Sequence, residues 1–201
     1  MFDAQLRPLI DRVLNPIGRG LVVLGITANQ VTMVGVAFGL IAAGCVAAGL
    51  FYPAFWFVIA NRIIDGLDGA VARASRSSDF GGYLDIVSDF IFYSAVPLAF
   101  AVARPETALA AAFLIFSFIG TATSFLGFAI LAAKHHVTTQ ISGKKAFYYI
   151  GGLTEGTETI LLFLAMLVWP DYFNHMAIIF GILCWVTTGT RIHAAYRQFN
   201  D

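Results

Sequence analysis

Six stretches of mainly apolar residues recur along this chain, each near the roughly 20 residues needed to cross the hydrocarbon of a bilayer. They cover about 31–50, 53–73, 83–102, 107–133, 157–169 and 176–194, the fifth extended at its start by a more polar turn. A segment in lipid must satisfy its own backbone hydrogen bonds, so spans of this kind are helices. The expected fold is all-α: one domain over residues 1–201, with a six-helix transmembrane bundle across 31–194. Composition agrees. Hydrophobic residues make up 59% and charged residues 12%, about half the roughly 25% charge of soluble domains. Mean hydropathy is +0.79. A secreted globule, a disordered chain and a coiled coil are all disfavoured. Twelve Lys+Arg balance twelve Asp+Glu, so no basic excess points to nucleic acid. Cys45 and Cys184 sit inside apolar runs and read as packed free thiols rather than a disulfide or zinc site.

Six spans place both termini on one side, and cation placement says which. Arg7, Arg12, Arg19, Arg73, Arg76, Lys134, Lys144, Lys145, Arg191 and Arg197 fall on one face, against Arg104 on the other. The positive-inside rule makes the first face cytoplasmic. Residues 4–24 carry Leu6, Leu9, Ile10, Val13, Leu14 and Ile17 at helical spacing among arginines, the pattern of an amphipathic helix lying on the membrane surface. Pro16 is expected to bend or end it. Asp3, Arg7, Asp11, Arg12 and Arg19 interrupt residues 1–25, so no cleavable signal peptide is expected there. Thr27 and Asn29 offer capping oxygens for the first span. Gly35 and Gly39 form a GxxxG, which we read as packing within one chain.

Five of the twelve acids lie between Asp65 and Asp89, and four of them, Asp65, Asp68, Asp85 and Asp89, fall on spans two and three. Each Asp at a span centre costs roughly 2.5–3.5 kcal/mol, so four oppose insertion by roughly 10 kcal/mol at midplane and less near the interface. Asp65 and Asp68 are i,i+3 and share one helix face; Asp85 and Asp89 are i,i+4 and share another. Asn61, Gly69 and Ala72 accompany the first pair, Gly81 and Ser88 the second. A short connection between the two spans brings the four carboxylates together. Converging carboxylates repel, and hard divalent cations remove that penalty; oxygen-only donors favour Mg²⁺, Mn²⁺ or Ca²⁺ over Zn²⁺. The competing account pairs the acids with Arg62, Arg73 and Arg76, but three arginines for five acids leave a deficit. The pattern predicts a cation-dependent phosphoryl site at the membrane–cytoplasm boundary.

Residues 65–89 read DGLDGAVARASRSSDFGGYLDIVSD. This resembles the CDP-alcohol phosphatidyltransferase signature D-x2-D-G-x2-A-R-x7/8-G-x3-D-x3-D at every fixed position: Asp65, Asp68, Gly69, Ala72, Arg73, Gly81, Asp85 and Asp89. Thr27-Ala28-Asn29-x-x-Thr32 is similar to the T-P-N-x-x-T that opens the family's first span, with Ala28 in place of Pro. The stretch SGKKAFYYIGGLTEGTETILLF resembles a proteobacterial inner-membrane branch of the family. The resemblance implies transfer of a phosphatidyl group from a CDP-linked lipid such as CDP-diacylglycerol to a small alcohol, with release of CMP. It implies two ions, Mg²⁺ or Mn²⁺, on Asp65, Asp68 and Asp85, with Asp89 as a further ligand and the general base. Asn29, Thr32, Asp68, Gly69, Ala72, Arg73 and Gly81 would cradle the cytidine diphosphate, Arg73 on the phosphates. A homodimer in the bacterial inner membrane, its site facing the cytoplasm, is implied as well.

The alcohol is to be sought after span four. Lys144 and Lys145 could take an acceptor phosphate, or serve as ordinary cytoplasmic-side charge near lipid headgroups. Glu155 and Glu158, i,i+3 at the start of span five, could recognise a hydroxyl or brace Arg191, or simply favour the helix dipole. Arg191 is a third candidate cation. Glycerol 3-phosphate is the preferred acceptor, as in a phosphatidylglycerophosphate synthase, with phosphatidylglycerol, inositol phosphate, serine and choline as alternatives. His135 and His136 read as loop residues. Thr187, Thr188 and Thr190 are expected to bond backbone carbonyls or neighbouring helices. Two other classes compete: a divalent-cation channel or transporter with the acids as its filter, and a non-catalytic membrane scaffold.

Overall fold

A computed structural model of the chain describes residues 3–135 and 152–200. Seven α-helices make up the described residues: α1 (Asp3–Val23), α2 (Ala28–Ala47), α3 (Phe51–Ala74), α4 (Asp79–Ala103), α5 (Ala108–Lys134), α6 (Gly156–Val168) and α7 (Phe173–Phe199). No strand is present among them. Single 3₁₀ turns, Pro105–Thr107 and Pro170–Tyr172, lead into α5 and α7. Each opens on proline, whose fixed φ suits a first helical position.

Among the described residues, four helices are long and apolar enough to cross a bilayer: α2, α4, and α5 and α7 with their preceding turns. The other two of the six expected spans fall on α3 and α6, which do not meet that measure. Helix α3 has the length, 24 residues, but Arg62, Asp65, Asp68 and Arg73 load its second half with charge. Helix α6 has 13 residues, about 20 Å at 1.5 Å per residue, against roughly 30 Å of hydrocarbon. The polar turn expected to lengthen it is a cap instead, described below.

Helix α2 packs on α3 and α4, α5 on α4 and α7, and α6 on α3 and α7. The core between them is aromatic. Phe100 stacks on Phe51 and Phe173, with ring centroids 5.4 and 4.4 Å apart. Phe92, Tyr93, Phe118 and Phe163 meet at 5.9–6.3 Å in tilted and edge-on pairs, the arrangement that ring quadrupoles favour. Large apolar side chains also point outward, among them Met33, Leu40, Trp56, Leu98, Leu109 and Ile130. So broad an apolar exterior is out of place in water and natural against lipid.

The glycine pair of α2 acts within the chain, as expected. Both glycines are buried. A Cβ on Gly35 would lie 3.3 Å from Ile64, and one on Gly39 only 2.9 Å from the Phe92 ring. Their absence lets α2 approach α3 and α4. Thr27 caps α2 in a reciprocal capping box: its Oγ1 accepts from the Gln30 N–H at 3.3 Å while Gln30 Oε1 accepts from the Thr27 N–H at 2.9 Å. Helix α1 does not end at Pro16. It lies along α3 with Leu14 buried and Ile10, Val13 and Ile17 exposed, so packing compensates for the hydrogen bond that proline removes.

The α1–α3 contact has a sharp test. A Cβ at Gly18 would sit 2.8 Å from the Ala70 carbonyl carbon, whereas at Gly20 it meets nothing within 4 Å. Gly18→Ala should lower stability by about 1–3 kcal/mol through overpacking. Gly20→Ala should leave it unchanged or raise it by up to about 1 kcal/mol through helix propensity. Thermal unfolding of both variants in detergent checks the contrast.

Candidate functional site

Helices α3 and α4 are joined by residues 75–78 alone, so their facing ends cannot separate. Ser78 caps α4, its Oγ accepting from the Gly81 N–H at 3.0 Å. This hairpin performs the convergence that the spacing predicts. One carboxylate oxygen from each of Asp65, Asp68 and Asp85 lies within 4.8 Å of the others. Asp68 is buried, and Asp65 and Asp85 are half-buried. The Thr32 hydroxyl of α2 lies 2.7 Å from Asp68 Oδ2, to which it can donate, and 3.0 Å from the Ala28 carbonyl. Thr32, expected in the nucleotide cradle, therefore reaches the cluster itself.

Asp89 stands outside this group of three. It sits one turn further along α4, where Arg62 Nη1 donates to its Oδ1 at 2.9 Å and lies 3.5 Å from Asp65 Oδ2. Arg62 Nε donates to Asn61 Oδ1 at 2.8 Å, and Asn61 Nδ2 donates to the Gly35 carbonyl at 2.8 Å. The guanidinium also lies 5.2 Å from the Phe92 ring centroid. Thr32, Asn61, Arg62, Asp68, Ser88 and Asp89 line a common cavity that continues to Leu40 and Ile91. The ion-pair account thus holds for Asp89 and, more loosely, for Asp65. Arg62 is one of the three arginines named in the competing account, and its i,i+3 spacing from Asp65 places it on the same face.

The remaining cradle residues are near by. A Cβ on Gly81 would lie 3.0 Å from Asn29 Oδ1, and one on Gly69 would lie 3.1 Å from Arg73 Nη1; both glycines keep room beside polar groups. Ala72 is half-buried next to them. Arg73 turns toward α1, where its Nη2 donates to Asp11 Oδ1 at 2.7 Å and to Asn15 Oδ1 at 3.1 Å. That partnership, 62 residues apart in sequence, left no signal in the motif. Three close carboxylates with only oxygen donors suit a hard divalent cation, which would relieve their mutual repulsion.

Lys144, Lys145 and His136 fall outside the described residues. Glu155 and Glu158 form a capping box at the start of α6. Glu155 Oε1 accepts from the Gly152 N–H at 2.9 Å, and Glu158 Oε2 accepts from the Glu155 N–H at 3.2 Å. Arg191 is buried, donating to the Thr121 carbonyl at 3.0 Å. Thr187 is a hub: its Oγ1 accepts from the Leu153 N–H at 3.1 Å, the Thr154 N–H at 3.3 Å and the Thr154 hydroxyl at 3.0 Å. Thr188 and Thr190 bond the Cys184 and Thr187 carbonyls, as expected.

The family model for CDP-alcohol phosphatidyltransferases matches residues 25–191. The chain belongs to the CDP-alcohol phosphatidyltransferase family. It is accordingly an enzyme, a membrane transferase of phospholipid biosynthesis. It is 49% identical to "Inner membrane protein YnjF" of Escherichia coli K12, over 98% of this chain and 96% of that protein. It is 26% identical to an archaetidylinositol phosphate synthase of Pyrococcus horikoshii, over 97% of both chains. Among solved structures, the fold is similar to Mycobacterium tuberculosis phosphatidylinositol phosphate synthase (PgsA1) with CDP-DAG bound. That match has a TM-score of 0.73 at 21% identity and covers 92% of this chain and 94% of that one. The same protein in complex with manganese and citrate matches with a TM-score of 0.71 at 21% identity, over 92% and 89% of the two chains.

In this enzyme the Thr187 hub fastens the turn ahead of α6 onto α7. Thr187→Val keeps the shape and removes the hydroxyl, leaving the buried Thr154 donors unmatched. Stability should fall by about 1–3 kcal/mol, read as a lower midpoint of thermal unfolding in detergent.

Proposed function

We propose that this enzyme transfers the phosphatidyl group of CDP-diacylglycerol to a hydroxyl of a small alcohol and releases CMP. The observation that carries the reading is the meeting of Asp65, Asp68 and Asp85 within 4.8 Å at the end of a cavity that also holds Asp89. Support comes from PgsA1, whose crystal structures include complexes with CDP-DAG and with manganese.

Asp65, Asp68 and Asp85 would hold two divalent ions, Mg²⁺ or Mn²⁺. Such ions, when bound, neutralise the diphosphate and stabilise charge on departing CMP. Thr32 orients Asp68 from α2. Gly69, Ala72 and Gly81, with Asn29 beside them, leave space for the nucleotide. Arg73, at the same helix end, serves its phosphates. Asp89 is the base that takes the proton of the acceptor hydroxyl, and the oxygen that Arg62 does not hold makes it a further metal ligand. Arg62 beside the acids opposes cation passage, which argues against a channel.

The acceptor we propose is a phosphorylated alcohol. Glycerol 3-phosphate is the first to test, and inositol phosphate follows from the archaeal and mycobacterial relatives' names. Lys144, Lys145 and Arg191 are the cations proposed for its phosphate. Glu155 and Glu158 would shape the approach through the cap they form. A homodimer in the bacterial inner membrane, with the site and both termini on the cytoplasmic side, completes the proposal.

CMP release from CDP-diacylglycerol in detergent, with and without Mg²⁺ or Mn²⁺ and across a panel of alcohols, tests it. Release should need both a divalent ion and an acceptor; none with any acceptor would refute the transferase assignment. Asp89→Asn should lower release by roughly 10²–10⁴-fold, the usual contribution of a general base, while CDP-lipid binding stays measurable. Near-wild-type turnover would remove Asp89 from that role.

A further inference from the structure

One stripe of α1 meets α3. Asp11, Leu14, Asn15 and Gly18 recur at i, i+3, i+4 and i+7, the spacing of a single helix face. Two of them set the register. A Cβ at Gly18 would lie 2.8 Å from the Ala70 carbonyl carbon, and one at Gly66 would lie 2.8 Å from Leu14 Cδ1. Leu14 thus occupies the room that Gly66 leaves, and α1 cannot slide along α3 without a clash. The other two carry the oxygens that grip Arg73. Nη2 donates to Asp11 Oδ1 at 2.7 Å and to Asn15 Oδ1 at 3.1 Å. One nitrogen is therefore held by two oxygens of a helix whose own place is set by packing. Nη1 is left beside Gly69, the residue after Asp68.

Such a grip adds little to stability. The Arg73 and Asp11 side chains are 38% and 28% exposed, and ion pairs so open to water contribute little. Leu14 and Gly18 already seat the helix. What the grip does is restrain a long side chain that would otherwise range over many rotamers. Restraint in place before a ligand arrives makes binding it easier. We propose that Asp11 and Asn15 are positioning residues: they hold the Arg73 guanidinium beside Gly69, so that α1 helps to form the site for the nucleotide's diphosphate without touching it. The sign of the effect is diagnostic. By charge alone, removing an acid beside Arg73 strengthens the binding of an anion. By positioning, the same change weakens it.

The inference rests on the transferase reading, and CDP is the probe that keeps the two apart. Its binding to the full chain in detergent with Mn²⁺, by isothermal titration calorimetry, is read beside the CMP-release assay. The double variant Asp11→Ala/Asn15→Ala should bind CDP about tenfold more weakly, the restraint on Arg73 having gone. KM for CDP-diacylglycerol should rise by about the same factor with kcat within about twofold, the mark of lost uniform binding. Its midpoint of thermal unfolding should stay near wild type. Arg73→Met should weaken CDP at least as much, and in that background the alanine pair should add no further loss, because the effect runs through Arg73. Unchanged or tighter CDP binding by the folded alanine pair overturns the proposal, as does an equal further loss in the Arg73→Met background. If the pair does not fold, Asn15→Ala alone decides: weaker CDP binding at an unchanged unfolding midpoint supports the positioning role, and wild-type binding overturns it. Absence of CMP release by the wild-type chain would instead defeat the transferase reading, while the CDP titrations still report whether α1 acts through Arg73.

Discussion

Like-charge repulsion among Asp65, Asp68 and Asp85 is the constraint around which the α2–α3–α4 half of the molecule is arranged. Oxygens within 4.8 Å of one another repel by roughly 3 kcal/mol per pair at an effective dielectric of about 20. The helices would relieve this by moving apart if nothing held them. Two things do. The four-residue link between α3 and α4 fixes their ends. The missing side chains at Gly35 and Gly39 let α2 close over both helices, near enough for Asn61 to reach the Gly35 carbonyl and Thr32 to reach Asp68. Bulk at either glycine would widen the cavity and disperse the charges. The packing motif and the acidic cluster are therefore one device: close helix approach, bought with glycine, holds the acids where divalent ions can bind.

Much of this was legible in the residues because it follows from periodicity. The i,i+3 and i,i+4 spacing put Asp65 with Asp68 and Asp85 with Asp89 on common faces, and the short connection made those faces meet. The all-α fold, the amphipathic helix α1 and the intrachain role of the GxxxG follow from similar local rules. Two kinds of feature escaped. Span counting by apolarity does not see the 13-residue length of α6 or weigh the charges along α3, because apolar stretches do not report where a cap begins. Contacts distant in sequence escaped too: Arg73 on Asp11 and Asn15, and Thr187 under the 152–155 turn, leave no local pattern. Glu155 and Glu158 show the limit of spacing most clearly. An i,i+3 acidic pair at a helix start suits both a binding site and a capping box, and the cap becomes visible only in the hydrogen bonds from the Gly152 and Glu155 N–H groups.

Arg73 joins α1 to the proposed nucleotide cradle, and its geometry shows how one side chain can serve both. Its contacts to Asp11 and Asn15 both run through Nη2. Nη1 folds back over Gly69, where a Cβ would lie 3.1 Å away. The glycine after Asp68 is thus needed for the arginine's own path as well as for space. A guanidinium presents five N–H donors in a fixed plane, so holding α1 with one nitrogen leaves the other two for the phosphates proposed for it. A lysine would have to gather Asp11, Asn15 and a phosphate around one ammonium nitrogen, whereas the guanidinium meets them with separate nitrogens. That difference gives a physical reason for arginine at position 73, and it places α1 against the site through a charged contact as well as through Gly18 and Leu14.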